Sequence, residues 1–305
     1  MIKQVTITNY HGDSVIYKIE GVNVENNNGL LITEIDGLGP VKADINFTKL
    51  ATYDGQMYNS AQLEGRNIKI KALFLEAKTV EEARLSSYKF FPIKRRITFD
   101  VVTDNRKAYI SGYVESNEPD VFSDKCEMNI SVECESAFFY DAGGINEQMF
   151  SNVVPLFEFV YENPSPTEKL TEISEFLYRR QCLVTYAGDA DTGFEMIFHA
   201  IGEVRNITMY HVDSGDSIRL DTDKLYAKTG KAFGNGDDLI VTTIQGKKSV
   251  KLLRNGEYTN MLNIVGKDPK WFKLMPGANL FSYISDYGEQ NLRVYVRAHP
   301  LFDGV

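Results

Sequence analysis

The sequence predicts a mainly β protein in two parts: an N-terminal α+β barrel-like domain with one helix, then an antiparallel β-sandwich. Three observations carry this expectation. Short alternating apolar and polar runs recur along the chain, separated by turns rich in Gly, Asn and Asp. The segment 79–90 is the clearest helix, with a start signal, an apolar stripe and a stop. A flexible polar stretch, Asp141-Ala142-Gly143-Gly144, interrupts the pattern near the middle. Domains are therefore expected at 1–142 and 143–305, each of ordinary size.

The first domain begins with an alternating strand through Val5 and Ile7. His11-Gly12-Asp13 turns it into a second strand over 14–24. Asn26-Asn27-Asn28-Gly29 is the next turn, because Asn and Gly tolerate positive φ, and 30–35 is a short apolar strand. Residues 44–48 alternate again, with Ile45 and Phe47 on one side. The polar stretch 50–65, with turn signals at Asp54-Gly55 and Asn59-Ser60, reads as a long loop or a protruding hairpin. That length calls for a function such as a subunit contact. Ile68, Ile70, Ala72, Phe74 and Leu75 give a strong strand. Thr79 and Glu82 form a capping box for the helix. Val80, Ala83, Arg84, Ser87, Tyr88 and Phe91 share its stripe, and Pro92 stops it. Strands follow at 97–102, 107–114 and 125–134. One helix among many strands argues against a βαβ sheet.

In the second half, 155–161 opens a strand-rich unit, and Asn163-Pro164-Ser165-Pro166 looks like an insertion. Residues 168–178 read as strand rather than a helical turn. Further strands are expected at 181–186, 194–201, 206–212, 217–221, 239–243, 249–254 and 292–298. Short strands with turns at this rate suit an antiparallel sandwich.

Composition narrows the chemistry. The balance of 43% hydrophobic and 25% charged residues is that of a folded globular chain. The 17 Tyr and 18 Phe suit pleated, half-buried surfaces. A formal net charge of -9 repels phosphates, so duplex DNA is not expected as the main partner. Lys94-Arg95-Arg96 is the local exception, and its plain reading is a turn before the strand at 97–102. Cys126, Cys134 and Cys182 form no CxxC, no disulfide framework and no zinc pattern. They read as buried thiols of a protein that folds in a cytosol. Neither the apolar core of a signal peptide nor a run of membrane-span length appears, so no membrane partner is expected.

Catalytic signatures are missing. His11, His199, His211 and His299 are scattered without HxH or HExxH spacing, and His199 reads as a satisfied sandwich residue. No GxSxG occurs. Gly234-Asn235-Gly236-Asp237-Asp238 lacks both the Lys-Ser/Thr of a P-loop and the terminal Glu of a calcium loop, and reads as a turn. Asp221-Thr222-Asp223 reads as a solvated strand end. The paired carboxylates of a glycosidase are a matter of distance, which a sequence does not give. The expectation is a non-enzyme with no catalytic residue, metal or cofactor.

One ordered block carries a resemblance. It comprises Ile35-Asp36-Gly37-Leu38-Gly39-Pro40, Asp54-Gly55, Arg66-Asn67-Ile68, Glu82-Ala83-Arg84, Tyr88-Lys89-Phe90-Phe91-Pro92, Gly112-Tyr113-Val114-Glu115-Ser116 and Ile130-Ser131-Val132-Glu133-Cys134. In order and spacing it resembles the distal tail proteins of long-tailed bacteriophages that infect Gram-positive hosts. Further on, the segment from Ser214 to Asp223 resembles the family's turn into an I-x-I-D-T strand. The segment from Phe272 to Asn279 resembles F-x-L-x-P-G-x-N, and the end, Phe302-Asp303-Gly304-Val305, resembles Y-x-G-V. Two departures stand out. Cys134-Glu135-Ser136-Ala137-Phe138-Phe139 replaces C-P-D-P-Y-F, and 224–254 is longer and more polar than the family's hairpin.

The resemblance implies an N-terminal split-barrel ring domain and a galectin-like sandwich, with the placement of the last residues open between sandwich and ring domain. It implies a structural protein made in the host cytoplasm and located at the virion tail tip. There six copies form a hub ring that joins the tail tube protein to the tip or baseplate hub protein and lets DNA pass. A receptor-binding protein or a host cell-wall glycan is the further partner. On this reading Tyr53, Met57, Tyr58, Arg66, Arg84, Tyr88, Phe90 and Phe91 are candidates for the ring interface, with the helix aromatics alternatively in their own core. Lys94, Arg95 and Arg96 are candidates for lining the channel. The alternative function is a carbohydrate-binding adhesion module in the sandwich, with Trp271, Tyr283 and Tyr287 stacking on sugar.

Overall fold

The computed structural model describes residues 1–18, 30–49, 54–74, 79–119, 127–150, 152–155, 174–177 and 180–305. It is mainly β and divides into two compact units. The first comprises residues 1–144 and 301–305, the second residues 145–300.

The first unit contains strands β1 (Ile2–Thr8), β2 (Ser14–Lys18), β3 (Leu30–Asp36), β4 (Ala43–Lys49), β5 (Gln56–Leu63) and β6 (Asn67–Phe74). Helix α1 (Val80–Phe90) follows, then β7 (Arg96–Thr103), β8 (Lys107–Pro119), β9 (Glu127–Cys134) and β10 (Phe139–Asp141). An antiparallel path runs β2-β1-β7-β8-β9-β6-β3, and its end strands β2 and β3 approach each other, so the sheet nearly closes into a barrel. Strict alternation explains it: β6 buries Ile68, Ile70, Ala72 and Phe74, and β9 buries Met128, Ile130, Val132 and Cys134. A register shift between Val114 and Ser116 bends the long β8.

Helix α1 starts where the capping signal places it. Thr79 Oγ1 accepts a hydrogen bond from the Glu82 amide at 3.2 Å. Its buried face is narrower than the expected stripe and consists of Ala83, Ser87 and Phe90, continued by Phe91. Ser87 and Asn117 are both buried and satisfy each other at 2.9 Å, while Asn117 Nδ2 donates to the Phe91 carbonyl. This pins the helix end to β8.

In the polar stretch after β4, β5 pairs with β4 in a separate two-stranded sheet, a hairpin arrangement; residues 50–53 lie outside the described residues.

The second unit contains β11 (Asn146–Met149), β12 (Asn152–Pro155), β13 (Ser174–Leu177), β14 (Gln181–Tyr186), β15 (Glu195–Ala200), β16 (Arg205–His211) and β17 (Asp216–Leu220). Helix α2 (Asp223–Thr229) precedes β18 (Asp238–Thr242), β19 (Ser249–Arg254), β20 (Glu257–Asn260), β21 (Gly277–Tyr287) and β22 (Leu292–Ala298). Among the described residues, two antiparallel sheets, β11-β22-β15-β18-β19-β20 and β14-β21-β16-β17, bury one shared core that includes Phe194, Phe198, Phe233, Phe272 and Phe281. That is a β-sandwich. The short helix α2 and the strands β20 and β21 are additions to the sequence reading. The Asn-rich turn at 26–29, Cys126 and the 163–166 insertion lie outside the described residues.

Beyond β22 the chain re-enters the first unit. The short strand β23 (Leu301–Phe302) pairs with β10, Phe139 opposite Phe302 and Tyr140 opposite Leu301, and the Val305 amide donates to the Leu38 carbonyl.

Candidate functional site

Several motif residues that carry the family resemblance converge on one side chain. Arg66, expected at an interface, is fully buried. Its Nη1 donates to the carbonyls of Gly37 (2.5 Å) and Gly39 (2.6 Å), its Nε to Ala137 (3.0 Å) and its Nη2 to Asp303 (2.5 Å). The guanidinium lies 4.4 Å from the centre of the Phe139 ring. Burial pushes its pKa below the usual arginine value. The fork of donors matches four carbonyls that an ammonium would not span. Arg66 is therefore an internal clamp, and the interface assignment is corrected. Gly37 fits the same knot: its φ is +89°, and a Cβ there would run into the Asn67 carbonyl. Cys134 lies nearby, and burial pushes its thiol pKa up to about 12, so it is unreactive near neutrality.

The C-terminal motif from Phe272 to Asn279 is also structural. Phe272 and Leu274 sit in the sandwich core. Gly277 takes a φ of +94° at the turn. Fully buried Asn279 ties the turn together, accepting from the Met275 amide and donating to the Met275 and Gly277 carbonyls.

An exposed apolar surface lies on the β4–β5 hairpin. Ile45 pairs with Ala61 and Ala43 with Leu63, which puts these four on one face. A bulge between Asn46 and Phe47 then sets Phe47 opposite Tyr58 and brings Tyr58 onto that face. The Phe47 and Tyr58 rings meet edge to face at 6.2 Å and are 50% and 59% exposed. Met57, opposite Thr48, is exposed on the other side. Ile45, Phe47 and Leu63 were missing from the sequence candidates, although the alternation of Ile45 and Phe47 was visible. Tyr53 lies outside the described residues.

On α1, Phe90 and Phe91 are core residues rather than free interface groups. Tyr88 and Leu85 are exposed, and Arg84 pairs with Glu81 at 2.5 Å. Lys94, Arg95 and Arg96 are exposed at the turn into β7. Lys94 has a φ of +65°, Arg95 lies over the Tyr10 ring, and Arg96 reaches Ser111.

The three sugar candidates do not converge. Tyr283 is 2% exposed and belongs to the core, which removes it. Trp271 packs partly against the core with Lys248 near its ring. Tyr287 is open, with Arg205 above it. His199 pairs with Asp238 at 2.6 Å. The 234–238 stretch is a turn closed by buried Asp237, which pairs with half-buried Arg254.

No protein-family profile and no curated protein matches the sequence. Among solved structures, the chain is similar to the Dit protein of phage SPP1, described as a paradigm of the hub adsorption apparatus in phages infecting Gram-positive bacteria. The match covers 98% of this chain and 99% of that chain at 13% identity, with a TM-score of 0.61. Two structures of the phage P2 baseplate in its activated conformation, with Ca and with Sr, match at 10% identity. They cover 97% of this chain and 98% and 97% of theirs, with TM-scores of 0.45 and 0.44, too low to argue from. The fold of this chain is the one seen in the SPP1 Dit protein.

Proposed function

We propose that this chain is a non-catalytic hub subunit of a phage tail tip, and that six copies close into a ring through the β4–β5 hairpin. The observation that carries the reading is the hairpin's uncovered apolar face. A lone two-stranded hairpin is marginal in water, and contiguous exposed apolar residues mark a contact surface. A ring of identical subunits needs such a heterologous arm, received by a different surface of the next copy. The exposed Leu85 and Tyr88 of α1 are suited to receive it. The ring would join the tail tube protein to the tip or baseplate hub protein. DNA would pass through its centre, with Lys94, Arg95 and Arg96 positioned to meet phosphates. The whole-length likeness to the SPP1 hub protein supports this reading.

Native mass spectrometry of the purified chain tests it. A hexamer, or two stacked hexamers, is expected, and replacing residues 44–63 by a short Gly-Ser turn should leave monomers. A wild-type chain that stays monomeric at every concentration overturns the proposal. Hexamers that survive the replacement overturn the role of the hairpin.

A further inference from the structure

The chain is acidic, with a formal net charge of -9, but its charge is unevenly laid out. Residues 224–273 hold ten Lys and Arg against four Asp and Glu. Part of that excess gathers at one place in the second unit, around Trp271, the single tryptophan of the chain.

Backbone bonds bring two segments together there. Thr192 exchanges both of its backbone hydrogen bonds with Leu274, at 3.0 and 2.9 Å. Two residues on, the Phe194 carbonyl accepts from the Thr243 amide (2.9 Å), and the Phe194 amide donates to Thr243 Oγ1 (2.9 Å). Gly193 between them packs so tightly that a Cβ would stand 2.4 Å from the Ile244 Cα. The Lys247 amide donates to the Ile244 carbonyl at 3.0 Å and closes a turn. Segments 243–248 and 270–274 are thereby held against the same short stretch, 192–194. The Lys248 ammonium lies 5.7 Å from the centre of the Trp271 ring, and Trp271 itself is half-buried, packed partly against the sandwich core. Lys247, Lys248, Lys270 and Lys273 are exposed, and none of the four is in an ion pair among the described residues.

The composition of this patch selects its partner. Four exposed ammonium groups around one indole attract an anion and steer its approach. The patch holds lysine and no arginine. Planar, bidentate recognition of phosphate draws on arginine forks, whereas ammonium groups act as point charges that suit separate carboxylates. Exposed Asp268, between Lys267 and Lys270, and exposed Asp191, beside Thr192, oppose the continuous charge of a phosphodiester chain. A peptide with spaced charges avoids them. Trp271 adds a rigid apolar surface of the kind that anchors protein interfaces. We propose that this patch docks an acidic segment of a partner protein, with the lysines pairing its carboxylates and Trp271 packing on their methylene stems.

The patch lies within the second unit, and docking on it does not depend on ring formation. Because Trp271 is the single tryptophan, its emission reports occupancy of the patch directly. The full chain is titrated with polyglutamate and, in parallel, with duplex DNA. Polyglutamate should shift the emission, with an affinity that falls as salt is raised. Lys247→Glu with Lys248→Glu, and separately Lys270→Glu with Lys273→Glu, should each weaken binding at least about tenfold. Lys107→Glu, at an exposed lysine of the first unit, is the control and should bind as wild type, with melting curves showing all variants folded. An emission spectrum that polyglutamate leaves unchanged overturns the proposal. So does binding that survives both double substitutions. Tighter binding of duplex DNA than of polyglutamate overturns it too, and would assign the lysines to a phosphate polymer instead.

Discussion

Arg66 shows how one side chain fixes the path of several distant segments. It holds carbonyls 29 and 27 residues upstream and 71 and 237 residues downstream. Replacing it with Met keeps the length but leaves four inward carbonyls without a donor. Unpaired buried polar groups and the loss of a buried charge's partners put the cost at about 3–5 kcal/mol. Urea unfolding should read that loss, and a cost below about 1 kcal/mol would disprove the clamp. Arg66→Lys should recover only part, because one ammonium does not reach all four oxygens. A second residue sets a pH dependence. Burial raises the Asp100 carboxyl pKa above its ordinary value of 3.8. The native state therefore keeps a proton that the unfolded chain has already released. Stability falls as pH rises from the ordinary carboxylate range through the raised value, and the deficit then stays constant. Asp100→Asn should raise the melting temperature at pH 7, with the gain shrinking toward pH 3. An equal gain at both pH values would refute burial as the cause. Neither role was legible in the sequence, where Arg66 reads as an interface residue and an Asp within a strand reads as solvated.

At the scale of elements, strands were legible wherever one face is buried. β6, β9 and β22 alternate along their length, so their fully buried apolar residues mark both the strand and its core side. Helix α1 was legible from its cap. Helix α2 was not: seven residues bury only Leu225, so no stripe forms. β21 was hidden because Ser282, Ser285 and Asp286 interrupt its apolar run and turn signals bracket it. The hairpin is the instructive case. Its strands could be guessed, but the bulge that puts Tyr58 beside Phe47 exists only in the pairing. That bulge makes a prediction. Phe47→Ser with Tyr58→Ser removes the two largest apolar groups from a largely exposed face of the hairpin. Ring assembly should weaken by at least about a hundredfold, as for paired interface anchors, while the melting temperature of the monomer should hardly move. Mass photometry across a dilution series measures the first and calorimetry the second. A double variant that assembles like wild type would place the seam elsewhere.

At the scale of the molecule, the chain leaves the first unit after Gly144 and returns to it at Leu301. The last five residues are therefore part of the first unit's structure. Phe302 is buried in its core, with Arg106 stacked 4.4 Å from its ring centre. β23 pairs with β10, Asp303 caps Arg66, and Val305 ties to Leu38. Contacts across such a separation in sequence make closure of the first unit a late, slow event in folding. Deleting residues 301–305 should remove a buried aromatic and several hydrogen bonds, a loss of roughly 3–5 kcal/mol. The loss should be confined to one unit. Amide hydrogen exchange should speed up in β10, which pairs with β23, and in β8 beside it, while β15, β18 and β22 of the second unit keep their protection. Unchanged exchange in β10 would show that the C-terminal strand contributes nothing to the barrel-like unit. Uniform acceleration in both units would show instead that the two unfold as one cooperative body.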